Sequence, residues 1–246
     1  MFHLSAYSTS IATGVETDLT AVQDNVLPIS NSHLVPQLPC AVIFAAVMAT
    51  NIQRARIQSP TLQQITTPFI RGIMPALVPS SPAQLATYLM NPLDVKMLEE
   101  IQILAFQNAA GAQRVTCLVG LQFSPGIPIS GDIYTLRGTS TTPAVANAWT
   151  QIAVTWQNAL PQGQYAVAGL QHQSANGQAA RLIIQQLFYR PGCMSQALLT
   201  DIAHPYFFKG AMGQWGVFNN YAMPNVEVLC NAADAAHELY LDIVPL

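Results

Sequence analysis

The chain has 246 residues, of which 51% are hydrophobic and only 9% charged, against the roughly 25% charge usual in soluble domains. The apolar content excludes a disordered chain. The net charge of −3, with no basic arm and no cationic cluster beyond Arg54 and Arg56, argues against direct nucleic-acid binding.

No long span and no leader is expected at the start of the chain. The longest apolar run, residues 40–49 (CAVIFAAVMA), is about half of what a bilayer requires. No charged start precedes an apolar stretch, so the chain is expected to begin as a mature protein made in a cytoplasm. Seventeen prolines and fourteen glycines punctuate short alternating runs, the pattern of an all-β sandwich or barrel. Strands are expected over residues 40–50 and 52–58. Pro60, Pro68, Pro75, Pro79, Pro82 and Pro92 then predict extended loop with little ladder. Within that stretch residues 83–90 have the composition of a short helix after Ser81-Pro82. Two further strands are expected over residues 95–107 and 114–123.

In the second half, residues 149–156 (WTQIAVTW) place Ile152, Val154 and Trp156 on one face. The turn at residues 160–163 leads into a strand over 164–171. Asn176-Gly177, both tolerant of positive φ, leads to a strand over 181–189 that Pro191-Gly192 closes. These three strands are expected to lie side by side as a meander. Residues 195–202 predict a second short helix.

One internal echo divides the chain. Residues 103–110 (ILAFQNAA) are followed by a turn and an apolar strand, as are residues 226–233 (VEVLCNAA). The tripeptides starting at Asn108 and Asn231 lie half a chain apart, so each half is expected to end in the same hairpin. The segment at residues 125–128 and Ser130-Gly131 is the expected linker, giving domains 1–125 and 130–246. Two tandem jelly-roll β-sandwiches with short helices in loops, poor in charge, resemble the double jelly-roll major capsid proteins of viruses. The resemblance is one of architecture and size and rests on no diagnostic motif. It implies a structural virion protein without enzymatic activity, assembled in the host cytoplasm as trimers that tile an icosahedral shell. Its implied partners are further copies, other capsid subunits, and minor capsid proteins or an internal membrane. No cofactor is implied.

Residues that could carry chemistry are sparse. Cys40, Cys117, Cys193 and Cys230 have no C-x-x-C spacing, so buried free thiols are expected rather than a zinc site. His3, His33, His172, His204 and His237 form no H-x-H or H-x-x-x-H pair, and each is expected to be a satisfied or exposed side chain. Ser174 and Ser195 lie near turns, outside any G-x-S-x-G elbow. Glu99-Glu100 is expected on alternate faces of a strand or at a solvated helix end. A two-carboxylate hydrolase remains a third reading, because such residues need not be adjacent. Tyr206, Phe207, Phe208, Trp215 and Phe218 lie in a glycine-rich stretch. They are expected to pack a core, or else to anchor an interface or form a sugar platform. The latter belongs to the alternative reading, a carbohydrate-binding or spike-like β-sandwich module.

Overall fold

The computed structural model describes residues 1–49, 52–63, 71–73, 86–87, 89–108, 111–185, 187–196, 210 and 212–246. They form two compact units. One is Ser5–Phe123; the other joins Met1–Leu4 to Ser124–Leu246.

The first unit begins with β1 (Phe2–Ile11), which belongs to it from Ser5 onward, then β2 (Thr17–Asp18), β3 (Ile29–Ser30) and β4 (His33–Leu34). Next come β5 (Cys40–Met48), β6 (Ile52–Gln58), the four-residue helix α1 (Pro60–Gln63), β7 (Arg71–Ile73) and β8 (Ala86–Thr87). It closes with β9 (Leu93–Val95), β10 (Gln102–Gln107) and β11 (Gln113–Gln122). The second unit contains β12 (Tyr134–Ser140), β13 (Thr150–Ile152), β14 (Thr155–Trp156), β15 (Gln164–Gln173) and β16 (Gly177–Ile183). It ends with β17 (Gly192–Gln196), β18 (Gly216–Asn219), β19 (Asn225–Cys230) and β20 (His237–Pro245).

Side-chain alternation explains most of these strands. In β10, Ile103, Ala105 and Gln107 are buried while Gln102, Leu104 and Phe106 are half-exposed, as a half-covered sheet requires. In contrast, β5 is a near-continuous apolar run and is buried almost throughout, as expected of an interior strand. Gly120 on β11 stands opposite Phe44 of β5. A Cβ there would overlap the Phe44 ring, so the bare backbone is what lets the ring lie across the strand.

The pairing order repeats between the units. In the first, the order is β1-β11-β5-β8 in one sheet, with β9 also on β5, and β2-β10-β6-β7 in the other. In the second, β12-β20-β15-β18 and β13-β19-β16-β17 occupy the same places. Counting the eight strands common to both units, without β3, β4, β9 and β14, the first pairs with the last, the last with the third, and the third with the sixth. The second strand pairs with the seventh, the seventh with the fourth, and the fourth with the fifth. This is the order of a jelly roll, two Greek keys wound into a sandwich. The second unit adds β14 at the edge of β12, and a short parallel pairing of β15 with β17 that links its two sheets. Asn108 follows β10 and Asn231 follows β19, equivalent places in the two units, but the hairpin expected at the end of each half does not form: β10 and β11, like β19 and β20, each pair with other strands because the chain crosses between sheets there.

Several local expectations are corrected. The strands near 149–156, 164–171 and 181–189 do not form a meander. β15 pairs with β20 and β18, whereas β13 and β16 flank β19, because the winding carries the chain from one sheet to the other between β13 and β15 and again between β15 and β16. The third strand also starts earlier, at Gly177 directly after the turn, and stops at Ile183. The strand expected at 149–156 breaks at Ala153–Val154, where the chain crosses from β19 to the edge of β12. Residues 95–107 split into β9 and β10 around a loop in which Leu98 has a positive φ. In the proline-rich stretch, α1 forms at Pro60, with Ser59 Oγ accepting the Leu62 N–H at 3.3 Å as its cap. The helix expected at 83–90 is absent from its described part, where Ala86–Thr87 pairs with β5. Of the helix expected at 195–202, Ser195 and Gln196 belong to β17, and the remainder lies outside the described residues.

Candidate functional site

The aromatic residues singled out in the sequence separate into two groups. Tyr206, Phe207 and Phe208 lie outside the described residues, as does His204. Trp215 and Phe218 are core side chains, 1% and 3% exposed. Trp215 meets Phe2 edge-on at 5.1 Å between ring centres, and Phe218 stacks on Tyr165 at 5.8 Å. Neither can present a platform to solvent. Core packing is their role.

The histidines converge more than their spacing suggests. His172 on β15 and His237 on β20 stack at 5.3 Å between ring centres, with Nε2 of the first 3.2 Å from Nδ1 of the second. The other face of the network is Ser195 on β17, whose hydroxyl shares a 2.5 Å hydrogen bond with His172 Nδ1. These three residues come together because β15 is flanked by β20 and β17. Long-range register decides that, and no short sequence motif signals it. Burial, reinforced by His237, pushes the His172 pKa down to about 3, so its imidazole is neutral. Burial lowers His237 as well, against the pull of Asp234. Burial alone would raise the Asp234 carboxyl, but hydrogen bonds from the Ser174 hydroxyl and the Asn176 and Ala236 amides hold it at about 2. Ser195 and His172 are both buried, which leaves their hydrogen bond no path to a substrate and makes it a packing element.

A second buried polar network is ionic. Arg181 Nε donates to Glu227 at 2.7 Å, and Arg190 Nη1 donates to both oxygens of the same carboxylate at 2.6 Å. The Arg181 guanidinium lies 4.0 Å over the Trp149 ring and donates to the Leu4 carbonyl at 3.2 Å. His3 Nδ1 accepts the Arg190 backbone N–H at 3.0 Å. Glu227 thus carries two guanidinium groups inside the second unit, with Met1–Leu4 held among them.

The remaining candidates are local. All four cysteines are free and buried; burial raises Cys40 and Cys193 to about 12, Cys230 to about 11, and Cys117 higher still. Glu99 and Glu100 lie in the loop before β10 rather than on a strand. Glu99 takes the hydroxyl and amide of Thr61, and Glu100 takes the Asn31 amide at 2.9 Å. His33 sits between Asp18, at 2.6 Å, and Glu100, at 3.4 Å. No three His, Cys, Asp or Glu side chains among the described residues converge as a metal site.

The surface is where the composition has its effect. Asp24, Arg181, Glu227, Glu238 and Asp242 are buried, so a chain poor in charge spends several of its charges inside. Large apolar side chains stand in their place outside: Met90 is 99% exposed, Tyr221 81% and Phe188 66%, with Leu38, Met97, Leu98 and Val145 also exposed. Leu98 is held at φ 64° while its N–H donates to the Pro36 carbonyl at 2.8 Å. That bond brings the Met97–Leu98 turn beside the loop carrying Leu38. A leucine in left-handed backbone is costly, and here the cost maintains an exposed apolar turn.

No family model matches the chain, and no curated protein matches it. Among solved structures, the chain is similar to the major capsid protein P2 from bacteriophage PM2 at 11% sequence identity and a TM-score of 0.28. That similarity covers 100% of this chain and 97% of the other, and it is too distant to assign a role.

Proposed function

We propose that this chain is a structural subunit of a virion, a major capsid protein that associates with copies of itself as trimers and tiles a closed shell. The observation that carries the reading is the jelly-roll strand order repeated within one chain that is poor in charge. Permanent interfaces are depleted in charge and richer in apolar area than free surface. Faces covered by amides, hydroxyls and methyl groups can be buried without desolvating ions. Closed point-group symmetry then turns one repeated contact into a particle. A second copy is the fitting occupant for the apolar turn of Leu38, Met97 and Leu98, because a neutral, charge-poor surface is what that turn would meet on another copy.

Analytical ultracentrifugation and negative-stain microscopy of the purified chain test the reading. Trimers or shells are expected at micromolar concentration, and Leu98→Asp or Met97→Asp, both at exposed positions, should shift the population toward smaller species. A stable, monodisperse monomer of the unaltered chain would overturn the proposal.

A further inference from the structure

We infer that a groove beside Trp156, within the second unit, is a binding site for a neutral saccharide. The groove arises from the crossing of Ala153–Val154 between sheets. β13 ends at Ile152, paired with Val226 of β19, and β14 begins at Thr155, paired with Thr139 of β12. Between those pairings the edge of the sandwich opens into a groove of about 540 Å³, inside the roughly 300–1,000 Å³ range of small-molecule sites.

Its lining has the chemistry of sugar recognition. Trp156, Val154 and Met223 supply apolar surface, and Thr142, Gln151 and Asn225 supply neutral polar groups. Among the described residues no ionisable side chain lines it. A sugar ring has an apolar C–H face that rests on an aromatic ring, and hydroxyls that exchange hydrogen bonds with side-chain amides, each of which both donates and accepts. An anionic ligand such as a phosphate or a sialylated glycan would find no cation among these lining residues.

The ring is held in place beforehand. Trp156 pairs with Gly138 across β12. A Cβ at Gly138 would lie 2.7 Å from both Trp156 Cε3 and Val154 Cγ1, so the indole edge rests on bare backbone. Trp156 is nevertheless only part-buried, and Gln151 and Asn225 are exposed, leaving the ring and both amides accessible. The loop is fixed as well, since Thr142 Oγ1 accepts the Ala153 N–H at 3.1 Å. The ring and the Ala153 backbone therefore have little freedom left to lose when a ligand binds. The site lies within one unit and does not depend on the shell-building reading.

The test titrates the full chain with neutral di- to tetrasaccharides of hexoses and N-acetylhexosamines, and with their sialylated counterparts, by calorimetry and saturation-transfer NMR. Saturable binding of at least one neutral saccharide is expected, with no preference for the sialylated forms. Trp156→Ala should weaken it about tenfold or more, and Asn225→Ala or Gln151→Ala by a smaller factor. Both amides are exposed, so these two variants carry the test if Trp156→Ala does not fold. Tyr134→Phe, at an exposed position that does not line the groove, should leave affinity unchanged. Absence of saturable binding across the panel, preference for sialylated ligands, or binding indifferent to Asn225→Ala and Gln151→Ala would overturn the inference.

Discussion

A neutral imidazole is the form that His172 must keep for the second unit to pack. Its folded pKa is about 3, while an unfolded histidine titrates near 6.5. The unfolded chain therefore takes up a proton that the folded chain refuses, and acid favours unfolding. The stabilisation is fully present above about pH 6.5 and is lost as pH falls toward 3, at about 1.4 kcal/mol per pH unit in the steep part of that window. Denaturant midpoints measured between pH 7.5 and pH 5 should fall for the unaltered protein and fall less for His172→Gln. Equal slopes for the two would sink this account. Glu227 makes a different case. Removing its carboxylate leaves Arg181 and Arg190 facing each other inside the unit, and truncating one partner of a buried pair costs about 3–5 kcal/mol. Chemical denaturation of Glu227→Ala should show a loss of that order. Neither role can be seen locally, since His172 and Glu227 each acquire their partners from strands tens of residues away.

Among the elements, β5 and β11 illustrate how a strand pair constrains its residues. The Phe44 ring occupies the space a side chain at Gly120 would need. Gly120→Ala should therefore cost about 1–3 kcal/mol through overpacking. Combining it with Phe44→Leu should cost less than the sum of the two single changes, because the smaller side chain clears the space. Additivity in that double-mutant cycle would show that the two positions do not compete. The limits of β5, β6 and β11 were close to legible in sequence, since each is a dense apolar or alternating run bounded by turn residues. The strand at 149–156 was legible as a strand but not as two, because alternation persists across Ala153–Val154 while the pairing partner changes. The helix read into 83–90 failed for a related reason: pairing of Ala86–Thr87 with β5 overrode local propensity.

For the whole molecule, low charge carries its own signature. Contacts made by neutral surfaces do not weaken as counter-ions screen them, whereas contacts between exposed charges fade over a Debye length of about 10 Å at 0.1 M salt. Under the shell-building proposal, sedimentation profiles in dilute and in high salt should coincide. Dissociation on adding salt alone would mean that charge pairs hold the contacts, contrary to the surface described above.

The sequence by itself determined that the chain is β-rich, poor in charge and repetitive. Those properties follow from composition, from short-range alternation and from the Asn-Ala-Ala echo, all of which are local. Only the tertiary structure decided that the echo falls on equivalent connections between sheets, after β10 and after β19, in two units wound alike. It also buried Trp215 and Phe218, joined His172 to Ser195 and His237, and left Trp156 at the edge of a groove. The physical reason is that jelly-roll winding pairs β1 with β11 and β5 with β8, and likewise β12 with β20 and β15 with β18. Which residues meet is then set by long-range register, and short-range pattern does not encode it.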